Sequence, residues 1–339
     1  MRGPRTFRIL VFLAFGFILA GIIYEQIAES RDRKRLPQTG QSYDIGSHRS
    51  LNLYCSGTGS PTVIFEGNGG EPGYRWLALQ RQVATLTRAC WYDRAGLGWS
   101  DPGPFPNHSD TIAHDLHSLL AAAQVPPPYI LVGYAMGAFH TRVYRSYFPN
   151  EVAGLVLVDP MNEDMTVRIH NHNELFRPTA LFLIRIVTAV GLLRIARPDT
   201  GPPPKGWSRE EWETLNGLDR RPQGRLAGAK ELPIWVNGEL ARAGNCFGDL
   251  PISVLSAGIQ DQEEDPKLDH DHERKLRLHE RLAQLSTHGK HVVVLNSGHD
   301  IPDMAPDAIV LAIRDIQQQS QAPKAPKESS QASRAAVAP

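Results

Sequence analysis

Three short segments of the sequence carry residue types that hydrolytic chemistry needs. The first is Gly-Tyr-Ala-Met-Gly at 133–137, where an apolar run ends abruptly before a helix-like pattern. A sharp strand-to-helix turn of this kind lifts its central side chain above the sheet edge, and small flanking residues leave room for the strained backbone. The central residue is Ala135, however, and a methyl group cannot attack a carbonyl carbon. The segment therefore predicts a nucleophile turn without its attacking atom.

The other two segments supply an acid and a base. Asp261 lies in "GIQDQEED", three residues past Gly258, and His299 lies in "LNSGHDIPD". Each follows an apolar strand-like run, so a carboxylate at 261 could orient the imidazole at 299 for proton transfer. Asp265 and Asp159, the latter in "LVLVDP", are alternative acids that the sequence leaves open. The spacing favours Asp261.

The elements that must position these residues alternate along the chain. A hairpin is predicted in "SYDIGSHRSLNLYCSG", and apolar strands follow in "PTVIFEG", "ACWYDR", "YILVGY", "VAGLVLVDP", "PISVLSAG" and "HVVVLNSG", with helical patterns between most of them. Apolar strands separated by helices favour a mostly parallel sheet that is covered on both faces. The sequence therefore predicts an α/β protein.

One long segment interrupts the alternation. Residues 161–250 contain the apolar helix "TALFLIRIVTAVGLLRIARP" and a polar helix, "SREEWETLNGL", with a serine placed to cap it. Arg185, in the middle of the apolar helix, argues against a second membrane span. We predict a helical cap at 161–250, a core formed by 42–160 and 251–318, and a disordered tail at 319–339 that is rich in Gln, Ser, Ala and Pro.

The N-terminal residues 1–36 predict a membrane-directed segment and linker. Three arginines precede an uncharged apolar run from Ile9 to Tyr24. No small-x-small cleavage site follows, which favours an uncleaved single-pass anchor over a signal peptide; cleavage would give a secreted protein. Basic residues occur in similar numbers on both sides of the apolar run, so the positive-inside rule gives little preference for either orientation. We expect the large domain to lie outside the cytoplasm.

The charge balance and the spacing of possible metal ligands limit which partners and cofactors are expected. The chain has 36 Lys and Arg against 36 Asp and Glu, so its charge gives no reason to expect nucleic acid as a partner. "HNHNE" at 170–174 and "DHDHE" at 269–273 resemble metal ligands, but both lie in polar segments without a third fixed ligand. They are interpreted as solvated helix ends. No metal and no cofactor are predicted.

The chain from about Tyr43 to Ile316 resembles the α/β-hydrolase fold superfamily. The resemblance is carried by "GSPTVIFEGNGG", "CWYDRAGLGWSDPGP", "ILVGYAMGAFHTRVY", "FPNEVAGLVLVDP" and "LNSGH". It implies a mostly parallel eight-stranded sheet flanked by helices, with the cap inserted between strands 6 and 7. It also implies that the strands bearing Cys55 and Cys90 are neighbours. That favours a disulfide over two buried free thiols, two states that the residues alone leave open.

The resemblance further implies an oxyanion hole made by the backbone N–H groups of Met136 and Asn68, the latter in "EGNGGEPG". Three residues of this chain depart from the family pattern besides the elbow alanine: Tyr134, Ala138 and Glu66 stand where His, Gly and His are common. Ala135 itself stands where the family carries serine, which closes the covalent route.

Three functions are compatible with these features. The first is a degenerate esterase-like or lipase-like hydrolase that binds a small apolar acyl-type ligand, or a partner, without turnover. The second is an active ester or amide hydrolase, in which a serine has been replaced by Ala135 or His299 and Asp261 activate water directly. The third is a membrane-anchored structural or interaction protein that uses the cap as its contact surface. The sequence leaves the oligomeric state open.

Overall fold

The chain forms one eight-stranded sheet in a computed structural model that describes residues 4–164, 177–195, 201–231, 234–259 and 266–321. The strand order is β1-β2-β4-β3-β5-β6-β7-β8; β2 pairs antiparallel with β1 and with β4, and all other neighbours pair parallel. The predicted α/β-hydrolase sheet is therefore confirmed. The strands are β1 (Gln41–Asp44), β2 (Ser50–Ser56), β3 (Thr62–Glu66), β4 (Ala89–Tyr92), β5 (Tyr129–Tyr134), β6 (Val152–Val158), β7 (Ile252–Ala257) and β8 (Gly289–Val294).

Helices cover both faces of this sheet. They are α2 (Leu77–Val83), α3 (Ser109–Ala122), α4 (Gly137–Tyr147), α10 (Pro266–Ala283), α11 (Ile301–Met304) and α12 (Pro306–Gln321), with 3-10 turns at Gly73–Trp76 and Pro149–Glu151. Apolar side chains of α3, α4 and α10 pack in one core cluster, and those of α2 and α12 pack in the other. Successive residues of β5 alternate between the two clusters because strand side chains point to opposite faces. All of its residues are buried, which explains why its sequence is continuously apolar.

An insertion of helices lies between β6 and β7. It contains α5 (Arg177–Ala189), α6 (Leu192–Ile195), α7 (Arg209–Arg220), α8 (Pro222–Lys230) and α9 (Ile234–Ala243). The apolar helix of the sequence is split into α5 and α6 at Gly191, whose φ of +71° is costly for other residues. Ser208 caps α7 and forms a capping box with Glu211, as its position in the sequence indicated. The residues of the predicted tail beyond Gln321 lie outside the described part of the chain.

A disulfide joins Cys55 of β2 to Cys90 of β4. The two residues face each other directly in the antiparallel register, with an S–S distance of 2.05 Å. The disulfide that the resemblance implied is therefore confirmed, and the interpretation as two free thiols was wrong. Cys246 is free and exposed. A structural disulfide is typical of proteins that fold in oxidising compartments.

The N-terminal helix α1 (Pro4–Arg35) is long and apolar enough to cross a membrane. Its candidate span, Val11–Asp32, has 22 residues, a mean hydropathy of 1.9 and only 6% of its most apolar window buried against the protein. A retained anchor and a signal segment share these properties. The choice of an anchor, and the placement of the domain outside the cytoplasm, therefore stay predictions.

Candidate active site

The turn between β5 and α4 has a strained backbone at Ala135. This residue has a φ of +50°, in the left-handed region where a non-glycine residue costs about 1–3 kcal/mol. Backbone hydrogen bonds hold the turn: the Ala135 N–H donates to Val158 O at 3.0 Å, and the Met161 N–H donates to Ala135 O at 3.0 Å. The elbow conformation is therefore built into the fold although its central side chain is a methyl group.

Glycines on both sides of this turn permit close packing. A Cβ atom at Gly137 would lie 2.5 Å from Gly67 O, and one at Gly133 would lie 2.7 Å from the hydroxyl of Thr141. The start of α4 thus packs directly on the backbone that follows β3. This contact explains the small residues that flank the central position.

His299 is paired with Asp159 beside the elbow. Its Nδ1 lies 2.5 Å from Oδ2 of Asp159, which directly follows β6. The imidazole ring also packs against Tyr134, the residue before Ala135, with ring centroids 5.1 Å apart. The His299 side chain is 41% exposed, whereas that of Asp159 is 0% exposed. The base is therefore accessible from solvent, and its carboxylate partner is enclosed.

The carboxylate that the structure brings to His299 is thus one of the two alternatives considered from the sequence. Asp261, which the spacing favoured, and Asp265 both lie outside the described residues. Asp159 sits in the left-handed region, with a φ of +40°, immediately after a buried strand. Its place at the end of "LVLVD" was the available signal, because the carboxyl ends of neighbouring parallel strands share one sheet edge.

A lysine that sequence analysis missed also binds this carboxylate. Lys275 of α10 donates from Nζ to Oδ2 of Asp159 at 2.5 Å, and the Ala257 N–H donates to Oδ1 at 3.1 Å. Burial by itself would raise the pKa of Asp159, but the hydrogen bond with His299 and the charge of Lys275 outweigh it and lower this pKa to about 2. Lys275 therefore shares with His299 the oxygen that would stabilise an imidazolium.

We expect Asp159→Asn to lower the free energy of unfolding by about 2 kcal/mol at pH 7, because the lowered pKa of this enclosed carboxylate measures the stability its ionised form contributes. That contribution is present above the unfolded pKa of 3.8 and is lost as pH falls towards about 2. Urea unfolding in mild detergent should therefore show that the difference in free energy of unfolding between the two proteins shrinks as the pH falls from 3.8 to about 2.

The control for this substitution is Asp315→Asn, which removes an exposed ion pair with Lys290. Exposed pairs contribute about 0–1 kcal/mol, so this variant should unfold nearly as the unsubstituted chain does. Equal stability of the Asp159→Asn protein at pH 7, or a gap that persists at pH 2, would contradict the electrostatic account of Asp159.

The two N–H groups assigned to an oxyanion hole already have acceptors. The Met136 N–H donates to Oδ1 of Asn68 at 3.3 Å, and the Asn68 N–H donates to Oε2 of Glu71 at 3.3 Å. The same Asn68 oxygen accepts from the Gly69 N–H at 2.7 Å. The loop and the elbow are therefore adjacent, but a developing oxyanion would have to displace a side-chain amide and a carboxylate.

A buried arginine holds the backbone of this loop. Arg94 donates from Nη1 to Gly67 O at 3.0 Å and from Nη2 to Asn68 O at 2.6 Å. Because both carbonyls accept from one rigid guanidinium, the position of Asn68 depends on Arg94.

Two buried carboxylates neutralise Arg94, and one of them comes from the insertion. Glu231, directly after α8, accepts from Arg94 Nε at 2.7 Å and from the Gly70 N–H at 3.0 Å. Glu66 accepts from Arg94 and from the Tyr92 hydroxyl. Burial raises the pKa of Glu66, against the opposing effect of the Arg94 charge. The ion cluster Glu66–Arg94–Glu231 thus joins the sheet, the Asn68 loop and the insertion.

Ion pairs also join the Asn68 loop to the residues after His299. Arg75 contacts Asp300 at 2.6 Å, Asp303 at 3.0 Å and Glu71 at 3.7 Å. Burial raises the pKa of Glu71, and nearby acids add to this effect although Arg75 opposes it. The carboxylate that accepts from the Asn68 N–H is therefore part of a network reaching the histidine loop.

The metal-like segment at 170–174 lies outside the described residues. Among the residues that the structure does describe, no group of three His, Cys, Asp or Glu side chains could hold a metal ion.

A family model described as "alpha/beta hydrolase fold" matches residues 61–192, which include the elbow and Asp159. The protein has the α/β-hydrolase fold. Among relatives of this α/β-hydrolase-fold chain, the uncharacterized protein YqjL of Bacillus subtilis is 25% identical over 81% of the chain and 91% of its own length. An uncharacterized vacuolar membrane protein of Saccharomyces cerevisiae is 25% identical over 48% of the chain, which spans only 29% of that protein.

Solved structures share the fold of this α/β-hydrolase-fold protein at low identity. A thermophilic esterase from Thermogutta terrifontis superposes with a TM-score of 0.58 and 17% identity, covering 84% of this chain and 99% of the esterase. The epoxide hydrolase CorEH superposes with a TM-score of 0.57 and 15% identity, and the match covers 83% of this chain and 99% of the CorEH chain. At such identities the likeness concerns the fold alone.

Proposed function

We propose that the protein is a catalytically impaired esterase-like hydrolase that binds a small apolar acyl-type ligand without covalent turnover. Ala135 carries the proposal, because it holds the strained elbow conformation, with a φ of +50°, and has no atom that can attack. In this proposal Ala135 stands in place of the serine of active relatives. The strained backbone turn that positions a nucleophile in active hydrolases is kept, but the side chain at this position cannot carry out nucleophilic attack.

The state of the predicted oxyanion site supports binding over turnover. In a preorganised oxyanion hole, N–H donors are free for the charge that develops in the transition state. Here the Met136 N–H donates to the Asn68 side chain and the Asn68 N–H donates to Glu71. A neutral acyl ligand beside the elbow does not require these bonds to break, whereas a tetrahedral oxyanion does.

The neighbours of the elbow favour an apolar ligand. Tyr134 packs against His299 on one side and against the ring of Trp76 on the other, with centroids 6.3 Å apart in an edge contact. Met136 lies against Gly69 on the facing loop. Sites lined by aromatic and apolar side chains, with a few fixed polar groups, are typical of small-molecule pockets.

Binding and turnover of 4-nitrophenyl butyrate test this proposal. Calorimetric titration of the detergent-solubilised full chain should show saturable binding, while release of nitrophenolate should be no faster than with the His299→Ala variant. The exposed α7 substitution Glu213→Gln serves as a control that should change neither measurement. Absence of binding, or saturable hydrolysis that His299→Ala abolishes, would overturn the proposal.

Saturable hydrolysis that His299→Ala abolishes would favour a different function, in which His299 activates water directly. The pairing of an exposed imidazole with an ionised Asp159 is the observation that favours it. Such hydrolysis would need no group at Ala135. It would depend on His299 and Asp159 together, so Asp159→Asn should lower the rate in parallel.

We further propose that α1 remains as a membrane anchor and that the folded domain lies outside the cytoplasm. The candidate span in α1 and the Cys55–Cys90 disulfide support this placement, because disulfides persist in oxidising compartments. No nucleic-acid partner is proposed for a chain whose formal net charge is zero.

A further inference from the structure

The insertion exposes a row of large apolar side chains on α5 and just beyond it. Phe182 is 62% exposed, Leu183 53%, Ile186 41% and Leu192 40%. Ile186 lies three residues after Leu183 and four after Phe182, so these three side chains share one face of α5, while Thr188 on the opposite face is buried at 3% exposure. These four side chains, Phe182, Leu183, Ile186 and Leu192, are called the apolar face, and each leaves 40–62% of its surface exposed.

The segment that carries the apolar face is fixed to α1. A Cβ atom at Gly21 would lie 2.8 Å from Val190 O, so the two backbones are in close contact. Arg194 of α6 donates to Glu25 at 2.6 Å and also pairs with Asp32. Because Val190 contacts Gly21 and Arg194 contacts residues further along α1, the two segments run in the same direction.

These contacts place the C-terminal end of α5 beside the uncharged run of α1. The uncharged run of α1 ends at Tyr24, and Glu25, its first acid, is buried at 5% exposure against Arg194. The ion pair therefore marks the end of the uncharged run of α1. Val190, which directly follows α5, contacts Gly21 inside the uncharged run Ile9–Tyr24, and α5 itself contacts both α1 and α8.

We propose that the apolar face docks into the lipid bilayer that α1 enters. It continues the lipid-type surface of α1, where Phe12 is 76% exposed and Phe15 and Phe17 are each 65% exposed. Helix α5 has 13 residues and a length of about 20 Å, shorter than a hydrocarbon core of about 30 Å. It therefore lies in the membrane interface and does not span the bilayer, in the manner of interfacial amphipathic helices.

Docking of this face would place the insertion, and the elbow beneath it, at the bilayer surface. Glu231, which follows α8 in the same insertion, contacts the Asn68 loop. An apolar ligand dissolved in the outer leaflet could then reach the elbow without crossing water. The docking rests on the proposed retention of α1 as an anchor, but it does not depend on the proposed ligand binding, because it concerns only α1, α5 and α6.

Carbene labelling of the unsubstituted full chain tests the docking. The protein is reconstituted in phosphatidylcholine vesicles containing a phosphatidylcholine with a diazirine near the headgroup end of its acyl chain. We expect peptides covering 182–192 to carry about tenfold more adducts than peptides covering 209–220 of α7, because only an interfacial helix meets the carbene. Adducts confined to α1, or absent throughout, would overturn the proposal.

Spin labelling provides a second measurement in case digestion leaves the apolar peptides poorly covered. In a Cys246→Ser background, nitroxides are placed by Leu183→Cys and Ile186→Cys, with Glu213→Cys on exposed α7 as the control. Collisions with oxygen should exceed those with a water-soluble nickel chelate at 183 and 186, and the reverse should hold at 213. Equal accessibility to the chelate at all three positions would overturn the docking.

Discussion

Ala135→Ser is expected to raise the hydrolysis rate of 4-nitrophenyl butyrate by roughly a thousandfold over the unsubstituted chain. The elbow strain at φ +50° and the His299–Asp159 pair are already in place, and His299 packs on Tyr134 next to Ala135, so we expect a serine hydroxyl to lie near a base that can take its proton. Loss of a triad nucleophile costs about six orders of magnitude in a well-organised serine hydrolase. We expect a smaller gain here because Lys275 shares Asp159 and the oxyanion donors are occupied.

The control for this gain is Ala135→Ser combined with His299→Ala, which keeps the hydroxyl and removes the base. It should hydrolyse the ester no faster than the unsubstituted chain, and a fluorophosphonate should label only the single variant. If Ala135→Ser gave no gain and no labelling, the assignment of His299 and Asp159 to a serine-type triad would be wrong.

Asn68 provides a second step in the same experiment. Asn68→Ala in the Ala135→Ser background removes the oxygen that accepts from the Met136 N–H. Freeing one oxyanion donor should raise kcat by about tenfold, below the 10²–10³ that a fully organised donor can contribute. A fall in kcat would mean that the Asn68 side chain supports the site and does not block it.

Arg94→Met should be the most destabilising single substitution proposed for the core. Arg94 is 2% exposed and neutralises Glu66 and Glu231, which are 1% and 0% exposed. Removing one partner of a buried ion cluster leaves uncompensated charge and costs about 3–5 kcal/mol. Because Glu231 belongs to the insertion, we expect its helices to exchange amide hydrogens faster as well, and hydrogen-exchange mass spectrometry with urea unfolding measures both effects.

Two further variants separate buried charge from lost packing. Arg242→Met removes an exposed arginine that pairs with Asp164, and it should cost less than about 1 kcal/mol. The triple variant Arg94→Met, Glu66→Gln, Glu231→Gln removes all three charges and should recover part of the lost stability. Equal stability of Arg94→Met and the unsubstituted chain would show that the cluster does not hold the insertion to the core.

Local patterns in the sequence sufficed for the sheet and for the turn at Ala135. Continuous apolar runs predict buried parallel strands because both faces of such a sheet are covered, and β3, β5 and β7 are buried throughout. Glycines at 133 and 137 indicate the elbow because side chains at these positions would collide with the backbone. The Cys55–Cys90 bond needed the family resemblance, since spacing alone does not show which strands are neighbours.

The sequence by itself therefore determined the fold class, the turn centred on Ala135 and the apolar N-terminal helix, and it predicted His299 as a base. Only the tertiary structure decided that Asp159 faces His299, that Lys275 shares it from 116 residues away, and that Glu231 reaches Arg94 across 137 residues. It also decided that Asn68 and Glu71 accept from the two predicted oxyanion donors. Periodicity and turn chemistry act over a few residues, whereas the partner of a buried charge is chosen by whichever group the packed strands and helices bring within hydrogen-bonding distance.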